Sequence, residues 1–213
     1  MQEILAIITV RKGSSLKDKN VRLYKGKPLL VNCIEKVKQI FPRVVVLSDS
    51  EKYAELAKGS GAEIFIDNEV GDLEDVTIRM RKYCEKVGFN GRLVLCQCTS
   101  PNILLESYQK TFELSKNLLD NEILMSCVEV TQKPSAFFLQ DDNGYLYTAI
   151  KGMPIVSKPR QLLEKVFYYN GGITSFHSSQ LLKDSLFEDA KLIPLMITEQ
   201  EILDIDTEDD LRR

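Results

Sequence analysis

Four short apolar runs in the first half of the chain alternate with segments of helical spacing, and few folds accommodate that order. "ILAIITV" (4–10), "RVVVLSD" (43–49), "AEIFI" (62–66) and "RLVLCQC" (92–98) are too continuously apolar for strands with one wet face. Between them, "PLLVNCIEKVKQI" (28–40) carries apolar residues at helical spacing behind a proline, where a missing N–H costs nothing. "SEKYAELAKGSG" (50–61) reads as a helix stopped by glycine, and 74–87 and 103–118 as two more. Strands of this kind separated by helices imply an α/β three-layer sandwich around a mainly parallel sheet. Ligands in such sheets sit beyond the carboxyl ends of the strands, where Arg11, Asp49 and Gln97 fall.

After about residue 123 the pattern changes. "EILMSCVEV" can continue the sheet, but "SAFFLQDDNGYLYTA" reads as a hairpin closed by Asp-Asn-Gly. Residues 133–166 have few helical signals and many aromatic and basic residues, so they form a protruding arm on a single domain spanning 1–213. "FYYNGGITSFH" then returns to strand. A net charge of −3 gives no general footprint for nucleic acid. No run approaches the roughly 18 apolar residues of a membrane span, and the N-terminus lacks a basic leader, so a cytoplasmic protein is expected. The five scattered cysteines read as free, buried thiols.

The first strand ends in Arg11 and a polar loop, "RKGSSLKDKN" (11–20), that crowds three lysines around Gly13. Backbone N–H groups at a glycine can cradle phosphate oxygens while Arg and Lys neutralise their charge, although a solvated strand-to-helix loop has a similar composition. Near the other end stands "ILDIDTEDDL". If residues 202–206 are extended, Asp204 and Asp206 share one face, with Leu203 and Ile205 on the other. Two carboxylates so placed repel unless a cation lies between them, and Mg²⁺ shared with substrate phosphates is the expected partner. The later acids have a duller role, with Thr207 capping a final helix whose first turn is acidic. Cys96 and Cys98 share a strand face, but two thiols without further ligands are core packing. In "CQCTSP", Ser100 and Pro101 can open a helix, leaving Gln97 free at the sheet's rim. In "KPRQLLEKVFYYNGG", Lys158, Arg160 and Gln161 can hold a carboxylate or simply belong to a solvated loop. His177, the single histidine, supports no triad and no zinc site.

Taken in order, R-x-G-S…K-N, "GKPLL", "VVVLSDSEKYAELAKGSGAEI", Q-x-T-S-P, P-R-Q…N-G and "DIDTEDDL" resemble the acylneuraminate cytidylyltransferases over nearly the whole chain. The resemblance implies a Rossmann-like nucleotidyltransferase fold of the nucleotide-diphospho-sugar transferase type. It implies transfer of CMP from CTP to the anomeric hydroxyl of a sialic-acid-like 2-keto sugar acid, with Mg²⁺ as cofactor and pyrophosphate released. Arg11, Gly13, Ser14, Lys19 and Asn20 match the CTP-binding loop, with Arg11 and Lys19 also catalytic. Asp204 and Asp206 match the metal pair, while Gln97, Arg160, Gln161 and Asn170 lie near the acidic sugar acceptor. The 133–166 arm corresponds to a dimerisation arm, so a homodimer is implied. Two departures are visible: the loop is one residue shorter than R-x-G-S-K-G-(I/L)-x-x-K-N and lacks its first Lys, and "TSPNIL" lacks the usual Arg. They point to a different acidic or phosphorylated acceptor, or to a nucleotide-binding homologue with weakened catalysis.

Overall fold

The computed structural model describes residues 2–12, 16–68, 75–132, 134–150 and 165–213. β1 (Ile4–Val10) leads through the polar loop to a small ladder of β2 (Leu23–Tyr24) and β3 (Lys27–Pro28), and then to α1 (Leu29–Val37). β4 (Val44–Ser48), α2 (Glu51–Gly59), β5 (Glu63–Ile66), α3 (Val76–Val87), β6 (Arg92–Cys96), α4 (Leu105–Ser115) and β7 (Glu122–Glu129) continue the alternation. A hairpin of β8 (Phe138–Gln140) and β9 (Leu146–Thr148) follows, then β10 (Phe167–His177) and β11 (Lys191–Met196).

Seven strands form one sheet in the order β11-β7-β10-β6-β1-β4-β5. Every neighbouring pair is parallel except the two made by β10, which runs antiparallel between β6 and β7. Alternate residues of the central strands feed two separate cores. Ile4, Ala6, Ile8 and Val10 pack with residues of α1, α2 and α4, while Leu5 and Ile7 pack with Met80, Tyr83 and Cys84 of α3. The sandwich therefore has three layers, as the continuous apolar runs require. Among the described residues no helix is long and apolar enough to cross a membrane. All five cysteines are free and buried.

Several local expectations give way to tertiary contacts. The strand expected over 92–98 stops at Cys96; Gln97 N–H still donates to the Gly172 carbonyl of β10 at 3.0 Å, and the chain then turns, with Ser100 N–H donating to the Gln97 carbonyl at 3.3 Å. Ser100 and Pro101 do not open α4. The amide of its N-cap residue, Leu104, donates at 3.0 Å to the carboxylate of Glu201, far away in sequence, and the helix starts at Leu105. Residues 202–206 pair with no strand; Ile205 N–H donates to the Thr99 carbonyl (2.8 Å), and Asp204 hydrogen-bonds Thr99 as well, which ties them to the exit of β6. The alternation survives without a ladder, because Ile205 is buried with Leu16, Tyr24 and Leu29. The final helix shrinks to a 3₁₀ turn, Asp210–Arg212, preceded by a Thr207 hydroxyl that donates to Asp210 at 2.8 Å. β11 had no expectation attached to it. Pro194 interrupts its pattern and is tolerated because the strand is at the sheet's edge.

Candidate active site

From β1 the chain steps to β4 and then β5 on one side, whereas β6 returns on the other side of β1. Loops leaving β1 and β6 diverge at such a reversal and leave a crevice beyond their carboxyl ends. A pocket of ≈ 440 Å³ occupies that place. Thr9, Val10 and Arg11 enter it from β1, and Gln97, Thr99 and Ser100 from the exit of β6. Asp75, Val76 and Arg79 line it from the start of α3, and Asn170 and Gly171 from β10. Lys19, Asn20 and Asp204 complete the described wall.

The loop over this pocket is fastened at several points. Lys12 N–H donates to both oxygens of Asp49, each at 3.1 Å. Asp18 sits at φ 56°, and its carboxylate accepts from the Tyr53 hydroxyl at 2.8 Å and from Lys52 at 3.2 Å, bonds that hold its pKa below the ordinary range. Asn20 Nδ2 donates to the Arg11 carbonyl (3.1 Å), and the Cys98 thiol donates to Asn20 Oδ1 (3.2 Å). Asn20 thus closes the loop on itself at the pocket wall. Gly13 and Ser14 lie outside the described residues, as do Arg160 and Gln161.

Lys19 Nζ stands 2.7 Å from Asp206 Oδ1, with the lysine side chain 13% exposed and the aspartate 62%. Asp204 lies at the pocket wall. Desolvation pushes its carboxyl up, a Thr99 hydrogen bond opposes this, and the nearby Asp206 charge adds to the rise. Two carboxylates that feel each other, one already holding an ammonium group, are hard oxygen donors suited to Mg²⁺. Among the described residues no group of three or more His, Cys, Asp or Glu could hold a metal, so such an ion would complete its shell with water or substrate oxygens. Asn170 lines the pocket, but its amide is engaged: Oδ1 accepts from the Ser126 hydroxyl (2.5 Å) and Gly172 N–H (3.1 Å), and Nδ2 donates to the Glu201 carbonyl (3.3 Å).

The family model for "Cytidylyltransferase" matches residues 5–201. The chain belongs to the cytidylyltransferase family. It is 28% identical over 217 aligned residues to an N-acylneuraminate cytidylyltransferase of Streptococcus agalactiae, covering 97% of this chain and 51% of that protein. It is also 27% identical to "Post-translational flagellin modification protein B" of Campylobacter coli, covering 100% of this chain and 93% of that one. The solved structure of CMP:2-keto-3-deoxy-manno-octonic acid synthetase complexed with CTP superposes with a TM-score of 0.72 at 17% identity, over 99% of this chain and 95% of that one. The chain spans about half the length of the Streptococcus relatives it matches.

Arg11, Lys19, Asn20, Gln97, Asn170 and Asp204 converge on one pocket, and Asp206 joins through Lys19. Sequence reasoning passed over Glu201, whose buried carboxylate accepts from Leu104 N–H, the Ser107 hydroxyl (2.6 Å), Thr198 N–H (2.9 Å) and the Thr198 hydroxyl (3.0 Å). The spacing Thr198-x-x-Glu201 is a capping-box signature that could have singled it out. Nothing local marked Arg79.

Proposed function

We propose that this chain catalyses CTP-dependent cytidylyl transfer to the anomeric hydroxyl of a sialic-acid-like 2-keto sugar acid, in the cytoplasm and with Mg²⁺. The observation that carries this reading is the meeting of Arg11, Lys19 and the Asp204–Asp206 pair at the switch point of a cytidylyltransferase-family fold. The acceptor oxygen attacks the α-phosphorus of CTP, the bond to the β-phosphate oxygen breaks, pyrophosphate leaves and the hydroxyl proton passes to solvent. Arg11 and Lys19 neutralise the charge that builds on the departing pyrophosphate, which is most of what phosphoryl-type transfer asks of a protein. Asp204 and Asp206 would hold Mg²⁺, which supplies charge neutralisation at the phosphates. The fastened loop keeps these groups in place before the nucleotide arrives.

A second pocket of ≈ 840 Å³ shares Asp204 with the first and is lined by Asn102, Gln132, Phe137, Tyr168 and Arg213 among others. Its wall also carries Glu129 and Glu199, so Arg213 and the amides of Asn102 and Gln132 are the groups there that suit an acidic sugar. A related reading changes only that acceptor, to a 3-deoxy-manno-octulosonate-like acid, and the likeness to that synthetase favours it. A nucleotide-binding homologue with weakened catalysis is the reading that the shortened loop would favour.

Pyrophosphate release from CTP, UTP and ATP, with and without each sugar acid, separates these. CTP with one 2-keto acid should be the productive pair, and silence with CTP and every acceptor would leave only the binding homologue. CTP with Mg²⁺ at about 100 times Kd should stabilise the fold by about 2.7 kcal/mol, a rise of roughly 5–10 °C in Tm. ATP or UTP giving the larger rise would remove the cytidylyl assignment.

We also propose a homodimer built on the hairpin arm. Phe137, Phe138, Leu139, Tyr145, Leu146 and Tyr147 are all exposed there. A two-stranded hairpin is marginal in water unless it packs on something, and a two-fold partner is the commonest solution. Light scattering at micromolar concentration should report twice 24.3 kDa; a clean monomer overturns the arm's role.

A further inference from the structure

In "TSPNIL", where the chain departs from the family pattern, Ile103 is buried in the main core and Asn102 lines the second pocket. Asn102 is fastened more tightly than a pocket lining requires. The Lys36 ammonium, on α1, donates to the carbonyls on either side of it, Pro101 at 2.7 Å and Ile103 at 3.0 Å. Desolvation holds the lysine pKa below its ordinary range, so this clamp has a cost. The side chain is held as well: the Tyr24 hydroxyl donates to Asn102 Oδ1 at 3.0 Å. Tyr24 is itself 2% exposed, its ring packed with Leu16, Leu29 and Ile205. An amide turns about its last bond unless a neighbour chooses between its oxygen and its nitrogen. The buried phenol makes that choice. It occupies the oxygen and leaves Nδ2, a donor for which no acceptor stands among the described residues.

What Nδ2 meets follows from the turn that carries it. Thr99, three residues before Asn102, accepts from Ile205 N–H and hydrogen-bonds Asp204. One turn thus sets both the carboxylate between the two pockets and a donor in the second of them. In a 2-keto sugar acid the carboxylate and the anomeric hydroxyl are attached to the same carbon. With that hydroxyl at the α-phosphorus beside Asp204, the carboxylate is one bond from the reacting carbon, and an N–H on the same turn is placed to meet it. Of the acids in this wall, Glu129 has its charge offset by Lys165 at 3.0 Å.

We propose that Asn102 Nδ2 donates to the carboxylate of the acceptor, and that Tyr24 is the positioning residue that holds the amide in the orientation this requires. The assignment rests on reading the second pocket as the acceptor's, and deepens that reading.

Pyrophosphate release with CTP and either N-acetylneuraminate or 3-deoxy-manno-octulosonate tests this, read as separate KM values for acid and nucleotide. Asn102→Asp exchanges Nδ2 for an oxygen and keeps the Tyr24 bond, so the fold should survive while a donor becomes a like charge. The KM for the acid should rise by at least about tenfold, and that for CTP should stay within about twofold. Tyr24→Phe removes the hydroxyl and leaves the ring in its packing. It should raise the KM for the acid by about threefold or more. In an Asn102→Ala background it should change that value no further, because it acts through the amide alone. Equal rises for acid and CTP would make either residue merely structural and overturn the proposal, as would a Tyr24→Phe effect that persists without Asn102. Failure of the unaltered protein to turn over either acid, although CTP binds, would overturn the acceptor reading and this role with it. Turnover by the unaltered protein with an unmoved KM for the acid in Asn102→Asp overturns only the role of Asn102.

Discussion

Replacing either Asp204 or Asp206 by asparagine is expected to cut CTP turnover by at least ~100-fold while the fold stays intact. The two substitutions should differ in stability. Asp204 carries a carboxyl pushed up by desolvation and by the Asp206 charge, so the folded state ionises it at a cost. Asparagine relieves that cost and can still accept from Thr99, so Tm should hold or rise even as activity falls. Asp206 gives up an ion pair to Lys19 in Asp206→Asn, but its side chain is 62% exposed, and pairs open to solvent contribute little. A change of about 1 kcal/mol or less is expected there. Pyrophosphate assays at low Mg²⁺ and thermal melts of both variants check this. Near-normal turnover in Asp206→Asn at low Mg²⁺ would falsify the metal pair.

Glu201→Ala should destabilise the protein by about 3 kcal/mol, or roughly 6–12 °C in Tm for a chain of this size. One carboxylate satisfies the amide of Leu104 at the entry to α4, the Ser107 hydroxyl and both donors of Thr198. Its own carbonyl receives Asn170. Truncation leaves the buried Ser107 hydroxyl and the part-buried donors of Leu104 and Thr198 without their acceptor and frees the segment that carries Asp204, so turnover should fall along with stability. Glu201→Gln keeps the shape and part of the acceptor capacity, and should lose less than half as much Tm. Burial pushes the Glu201 carboxyl up, but hydrogen bonds from Ser107, Thr198 and Leu104 outweigh it and leave the pKa below its ordinary value. A pKa lower in the folded than in the unfolded state contributes stability that is present above the unfolded value and lost as pH falls through the folded one. Acid melting curves of the wild-type protein and of Glu201→Gln should therefore converge below about pH 4. Curves that stay equally separated from neutral pH to acid would remove the carboxylate's role.

What the sequence determined by itself was what repeats locally. Continuous apolar runs state that both faces of a strand are buried, and β1, β4, β5 and β6 lie where those runs stand. Alternation around Ile205 states that Asp204 and Asp206 face away from the core, and that holds without any strand, because burial of one side chain is enough to orient its neighbours. Tertiary structure decided what depends on distant partners. The entry to α4 is set by Glu201, and the antiparallel course of β10 by insertion between β6 and β7. The burial of Arg79 beside Asp49, 30 positions away in the chain, left no periodic trace at all. Hydrophobic burial is a property of each residue's own side chain and so writes itself as a pattern. A hydrogen bond or ion pair is a property of two residues, and only the fold states which two.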